Sequence, residues 1–205
     1  MKKIILFFIV GLTIFINLSG NLSFSKLSFC EEELTTFVDS NSNRTAGSEG
    51  EKQTANYLEE KLKELSISPL LENYQQSFEY NKTSSQNVIG YVDNNAENYV
   101  VIGAHYDNVY KLDVSSGTND NASGVVTSLN LASTLKNSNL NFNIIFAYFG
   151  AEEIGLAGSN YFLDNLESDI LDNIILYINL DSIGAGDYLY YYHYDAPTQY
   201  GNYID

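Results

Sequence analysis

Three short stretches are apolar almost throughout: Val100–Ala104 (VVIGA), Asn143–Phe149 (NIIFAYF) and Ile174–Leu180 (IILYINL). A strand with one face in water alternates apolar and polar residues. A strand that does not alternate needs cover on both faces. The segments between these runs supply that cover. Asn121–Lys136 carries Val125, Leu129, Ala132 and Leu135 at helical spacing, and Gly155–Leu166 reads as a second helix. Strand, helix, strand, helix, strand predicts an α/β fold: a mostly parallel central sheet with helices on both faces. A chain of 205 residues is long enough for one such domain with a real core.

Upstream, Ser48 and Glu51 have the spacing of a capping box. Ala55, Leu58, Leu62 and Leu65 then continue at three- and four-residue steps, so an amphipathic helix should run to about Ser66, before Pro69. In the acidic stretch Glu31–Asn43, Leu34, Phe37 and Val38 fall on one helical face. Ser77–Tyr80 and Asn87–Val92 are short and β-rich, and read as a hairpin or as neighbouring strands. The run YLYYYHY after Gly186 reads as a further strand.

The N-terminus has a different character. Lys2-Lys3 precede an apolar run, Ile4–Ile16, that falls short of the ~20 residues of a membrane span but matches a signal-peptide core. Ser23 and Ser25 offer a small-x-small cleavage pattern. Residues 1–25 are therefore expected to direct export to the medium or cell surface, with no stable membrane span after cleavage. Residues 26–43 form an N-terminal segment, and 44–205 form the domain. Cys30 is the sole cysteine, which excludes an intrachain disulfide. It could accept a lipid, but Phe29 stands before it where such sites want a small residue, which favours an unpaired thiol. The net charge of −16, with 10 Lys and Arg, argues against a phosphate-backbone partner and suits a protein that attracts cations, although most of these charges read as a solvated acidic surface.

Each buried run ends in chemistry. His105 and Asp107 follow the first, Glu152 and Glu153 follow the second after Gly150-Ala151, and Asp181 follows the third. Asp120 opens the helix that begins at NASGVV. Open α/β sheets bind ligands beyond the carboxyl ends of their strands, where all six residues are expected. Asp120 alone could be a helix cap, and a Glu-Glu pair alone a solvated helix start. Acids gathered from three strands are costly to bury unless a cation neutralises them. Imidazole with carboxylates and no thiolate suits zinc or, less selectively, manganese or cobalt.

The motifs GAHYDNV, GTNDNASGV, FGAEEIGLAGSNYF and INLDSIG, in this order, resemble those of the co-catalytic zinc exopeptidases. That group includes the secreted bacterial leucyl aminopeptidases, aminopeptidase Y and glutamate carboxypeptidase II. RTAGSEGEKQTANYLEEKLKEL is similar to their first helix, so the resemblance covers Arg44 to Gly184. It implies the phosphorylase/hydrolase-like sheet of that group, two zinc ions and peptide substrates. It also implies roles: His105 and Asp181 on one zinc, Asp120 bridging, Glu153 on the other zinc, Asp107 orienting His105, and Glu152 as general base. A cis Asp120-Asn121 peptide bond belongs to the same pattern.

The group completes its second zinc site with a later histidine. The only other histidine here is His193, on the tyrosine-rich run, where a ligand role is not the usual one. The resemblance therefore implies a C-terminally truncated peptidase with one complete zinc site and weak or no turnover. Two alternatives stand beside this reading. One is a glutaminyl cyclase-like acyltransferase using a single zinc; the other is a non-catalytic secreted relic of the fold.

Overall fold

The computed structural model describes residues 5–6, 25–109 and 117–185. Strand β1 is the two-residue Ile5–Leu6, followed by helices α1 (Ser25–Ser40) and α2 (Glu49–Glu64). Strands β2 (Ser68–Pro69), β3 (Gln75–Tyr80), β4 (Thr83–Val92) and β5 (Tyr99–His105) come next. A wide turn, Thr118–Ser123, leads into α3 (Gly124–Leu135). The rest is β6 (Asn143–Phe149), α4 (Ala157–Asp164), α5 (Ser168–Leu171) and β7 (Ile174–Asn179). No helix among the described residues is long and apolar enough to cross a membrane.

The sheet order is β1-β7-β5-β6-β4-β2, with β3 also paired to β4. The expected parallel arrangement holds where β5 lies between β6 and β7. The β3–β4 hairpin joins antiparallel to β6, so the sheet is mixed. Its turn is only Asn81-Lys82, both at positive φ, so the polar residues Thr83–Gln86 lie inside β4 rather than in a loop. Within the apolar N-terminal run, Ile5–Leu6 pair in parallel with Leu176–Tyr177.

Strand β6 shows why the central runs do not alternate. Ile144, Phe146 and Tyr148 point into a core built with Phe37, Leu58, Leu62, Val125 and Leu129. Ile145, Ala147 and Phe149 point the other way, against Phe162, Leu166 and Ile174. Both faces are buried, and burying each such side chain contributes roughly 1.5–3 kcal/mol. The two predicted helices that follow β5 and β6 start late. The chain is non-helical at Asp120 and Asn121, so α3 begins at Gly124. The second, α4, begins at Ala157, after positive-φ turns at Gly155 and Leu156. The residues set free by these late starts are the ones that carry chemistry.

Candidate metal centre

His105 is the last residue of β5 and is 3% exposed. Its Nε2 lies 3.0 Å from Asp120 Oδ1 and 3.6 Å from Asp181 Oδ1. Its Nδ1 lies 3.2 Å from the Asp107 carbonyl, 3.5 Å from Asp107 Oδ1 and 3.9 Å from Glu152 Oε2. His105, Asp120 and Glu153 each present a ligand atom within 4.8 Å of the other two. All six residues singled out in the sequence thus meet at one sheet edge. The tightest triad takes its members from both of the sites that the resemblance implies. No second complete metal site is seen among the described residues. His193 and the YLYYYHY run lie outside them.

The charges show what the site lacks on its own. Burial works against a protonated imidazole, but Asp107, Asp120 and Asp181 override it and push His105 up to about 12. The same histidine holds Asp181 below the usual carboxylate range. Burial raises Glu152 and Glu153, and the neighbouring acids add to the rise. The cluster stabilises positive charge strongly, as expected of a site for a divalent cation. One imidazole with carboxylates and no thiolate is a donor set that fits zinc.

Two loops deliver the acids, and each is held by side chains from elsewhere. After β6, four successive backbone N–H groups are satisfied this way. Gly150 N donates to Asn87 Oδ1 at 3.2 Å, and Ala151 N to Glu51 Oε1 at 3.1 Å. Glu152 N donates to Asp107 Oδ1 at 2.9 Å, and Glu153 N to Asp107 Oδ2 at 3.1 Å. Asp107 is fully buried and is therefore more than a partner of His105. Gly150 is required here, because a Cβ would stand 2.5 Å from Ser85 Oγ and 2.6 Å from the Gln86 carbonyl.

After β7 the holders are neutral. Asn121 Nδ2 donates to the Leu180 carbonyl at 2.8 Å, and its Oδ1 accepts from Gly124 N and Ser182 N. Ser123 Oγ accepts from Ile183 N at 3.1 Å, and Asn119 Oδ1 from Gly184 N at 2.8 Å. The alternate residues of NDNAS thus staple the Asp181 loop to the Asp120 turn. The Asp120-Asn121 peptide bond is cis.

Besides Asn87 and the alternate NDNAS residues just described, Arg44, Asn108 and Glu51 have a part in this site and were not singled out for it in the sequence. Arg44 is fully buried, and its guanidinium donates to the carbonyls of Tyr106 (2.6 Å), Asn41 (2.8 Å) and Gly117 (2.9 Å). It thereby braces both the His105 loop and the Asp120 turn. Burial pulls it down to about 10, while Asp107 and Asp120 oppose that fall. Asn108 Oδ1 accepts from Arg44 N at 2.9 Å. Glu51 corrects the capping-box reading. Ser48 Oγ does accept from Glu51 N at 3.1 Å, but the Glu51 carboxylate does not return to Ser48. It accepts instead from Gly47 N, Ser85 Oγ and Ala151 N. A lone buried Arg and a Glu three residues after a Ser gave no signal of these distant partners.

An apolar cavity of about 400 Å³ opens beside the cluster, walled by Val101, Phe149, Phe162 and Tyr177, with His105, Glu152 and Asp181 at its lip.

Residues 87–203 match Peptidase family M28, more than half of the chain. The chain belongs to that family. Leucine aminopeptidase 2 of Trichophyton equinum is 41% identical over 91 residues, which cover 44% of this chain and 18% of that protein. The chain thus spans about a fifth of the length of the curated relatives it matches. Among solved structures, a zinc aminopeptidase from Bacillus subtilis superimposes with TM-score 0.61 at 17% identity, over 76% of this chain and 69% of that one. A glutaminyl cyclase from Bacteroides thetaiotaomicron gives TM-score 0.61 at 20% identity, over 78% and 63%. At these identities the likeness is one of fold, which aminopeptidase and cyclase share.

Proposed function

We propose that this protein is a zinc-dependent exopeptidase that removes N-terminal residues from peptides. The observation that carries this is the meeting of His105, Asp120 and Glu153 within one metal's reach, with Asp181 and Glu152 at the same edge. His105, Asp120 and Asp181 would hold one ion, and Glu153 with Asp120 would face a second. Bound by these residues, a zinc ion would supply Lewis acidity toward a scissile carbonyl and a water.

The remaining steps belong to the chain. Glu152 stands beside the cluster, and burial raises its carboxyl above the ordinary range, the direction that suits a group exchanging protons. Its Oε2 takes a proton from the attacking water and returns it to the leaving amine. Asp107 holds the Glu152 and Glu153 backbone, so the base and the ligand keep a constant offset. The acidic surroundings favour the free ammonium of a peptide's first residue, and the apolar cavity fits an uncharged side chain. The basic and apolar N-terminal segment supports export as the route by which the protein meets its substrates.

The test is turnover of aminoacyl-nitroanilides with added zinc. Chelator-sensitive release that falls by about 10²–10⁴ in Glu152→Gln, with zinc binding retained, supports the reading. Ammonia release from N-terminal glutaminyl peptides without amino-acid release would replace hydrolysis by cyclisation.

A further inference from the structure

We propose that Glu51 is a positioning residue for the Glu152–Glu153 pair, acting through the backbone of Ala151. Glu51 is buried on the first turn of α2, far from His105 in sequence. Its two oxygens face different elements. Oε2 accepts from Gly47 N at 2.7 Å, on the chain entering α2. Oε1 accepts from Ser85 Oγ at 2.7 Å, on β4, and from Ala151 N at 3.1 Å, on the turn after β6. Only a group that accepts at both ends can make this set of bonds, because the Gly47 and Ala151 N–H groups, one at each end, can only donate.

Ala151 is where such a hold matters. It is a non-glycine residue at φ 53°, in the left-handed region that residues with a Cβ disfavour. The reversal at Ala151 turns the chain out of β6 so that Glu152 and Glu153 face His105 instead of continuing the strand. Asn87 and Asp107 hold the neighbouring N–H groups on either side. Glu51 supplies the acceptor at the strained residue itself. Gly150 belongs to the same device, since a Cβ there would lie 2.9 Å from Glu51 Oε1.

Glu51→Gln tests the assignment. The amide keeps shape and volume but turns one end into a donor, which must face either the Gly47 N–H or the Ala151 N–H. On the metal-free chain, amide hydrogen exchange at Ala151, Glu152 and Glu153 should accelerate by about tenfold or more, with α3 unchanged. Ser85→Ala, which removes a neighbour of the same oxygen, should produce a smaller acceleration at the same three amides. Unchanged exchange at these amides, or equal acceleration throughout the chain, overturns the proposal.

A second arm rests on the metal reading above: zinc affinity in Glu51→Gln should fall by about tenfold, in the range of outer partners of metal ligands. Equal affinity in variant and parent would overturn the link from Ala151 to Glu153. A parent chain that binds no zinc would count against the proposed function, and the exchange arm alone would then decide the role of Glu51.

Discussion

The two loops that bring acids to His105 are held in opposite ways. Three of the four N–H groups in the turn after β6 are held by carboxylates buried in the protein, Asp107 and Glu51, and the fourth by the neutral Asn87. The loop after β7 is held by neutral amides and a hydroxyl from Asn119, Asn121 and Ser123. The acids on the two sides, with the Asp120 turn counted on the β7 side to which it is stapled, differ too. The Asp120 side chain is 56% exposed and that of Asp181 35%, against 27% for Glu152. Charged acceptors make stronger hydrogen bonds than neutral ones, but their removal leaves buried donors unsatisfied and a net charge changed. The β6 turn is therefore the more firmly held wall of the site, and the Asp120–Asp181 side the more open one.

The sharpest way to break this contrast is Asp107→Ala, which strips the acceptor from two consecutive N–H groups at a fully buried position. It should cost about 3 kcal/mol in urea unfolding. A cost below ~1 kcal/mol would mean that the carboxylate side is no firmer than the neutral side. Arg44→Met should follow at about 2 kcal/mol, since it leaves three carbonyls without their guanidinium donor.

Glu51 makes the contrast depend on pH. Burial raises its carboxyl from 4.5 to about 7, so folding takes up a proton between those values. Stability from this group is full at the acid end, falls as pH rises through that window, and is level above about 7. The parent chain should lose on the order of 2 kcal/mol relative to Glu51→Gln between pH 4.5 and pH 7.5. A parallel pair of stability curves would remove the buried carboxylate from the explanation. The smallest effect is expected on the neutral side. Ser123→Ala should cost about 1 kcal/mol, independent of pH over the same range.

Much of the scaffold was legible because burial on both faces leaves a direct mark. The absence of alternation in NIIFAYF predicted a strand covered on both faces, and β6 occupies those residues. The helix starts were less legible, since Asn121 and Gly155 fit a helical pattern while their backbones serve the site. That the six acid and imidazole residues would lie together at one sheet edge was legible from strand ends and motif resemblance. Their holders were not. Glu51 is read locally as a cap, and its partners Ser85 and Ala151 are joined to it only by the fold. The β3–β4 hairpin was one of the two readings of its sequence, but its antiparallel pairing to β6 and the run of β4 through the polar Thr83–Gln86 escaped, because a two-residue turn inside a polar stretch leaves no mark of them.

Zinc titration of the purified chain, followed by its melting temperature, puts the whole arrangement to one measurement. Stoichiometric uptake with a rise in melting temperature, reversed by chelator and lost in His105→Ala, is the result expected of acids gathered around a divalent ion. A parent chain whose melting is indifferent to zinc, or a His105→Ala variant that responds as the parent does, would contradict it.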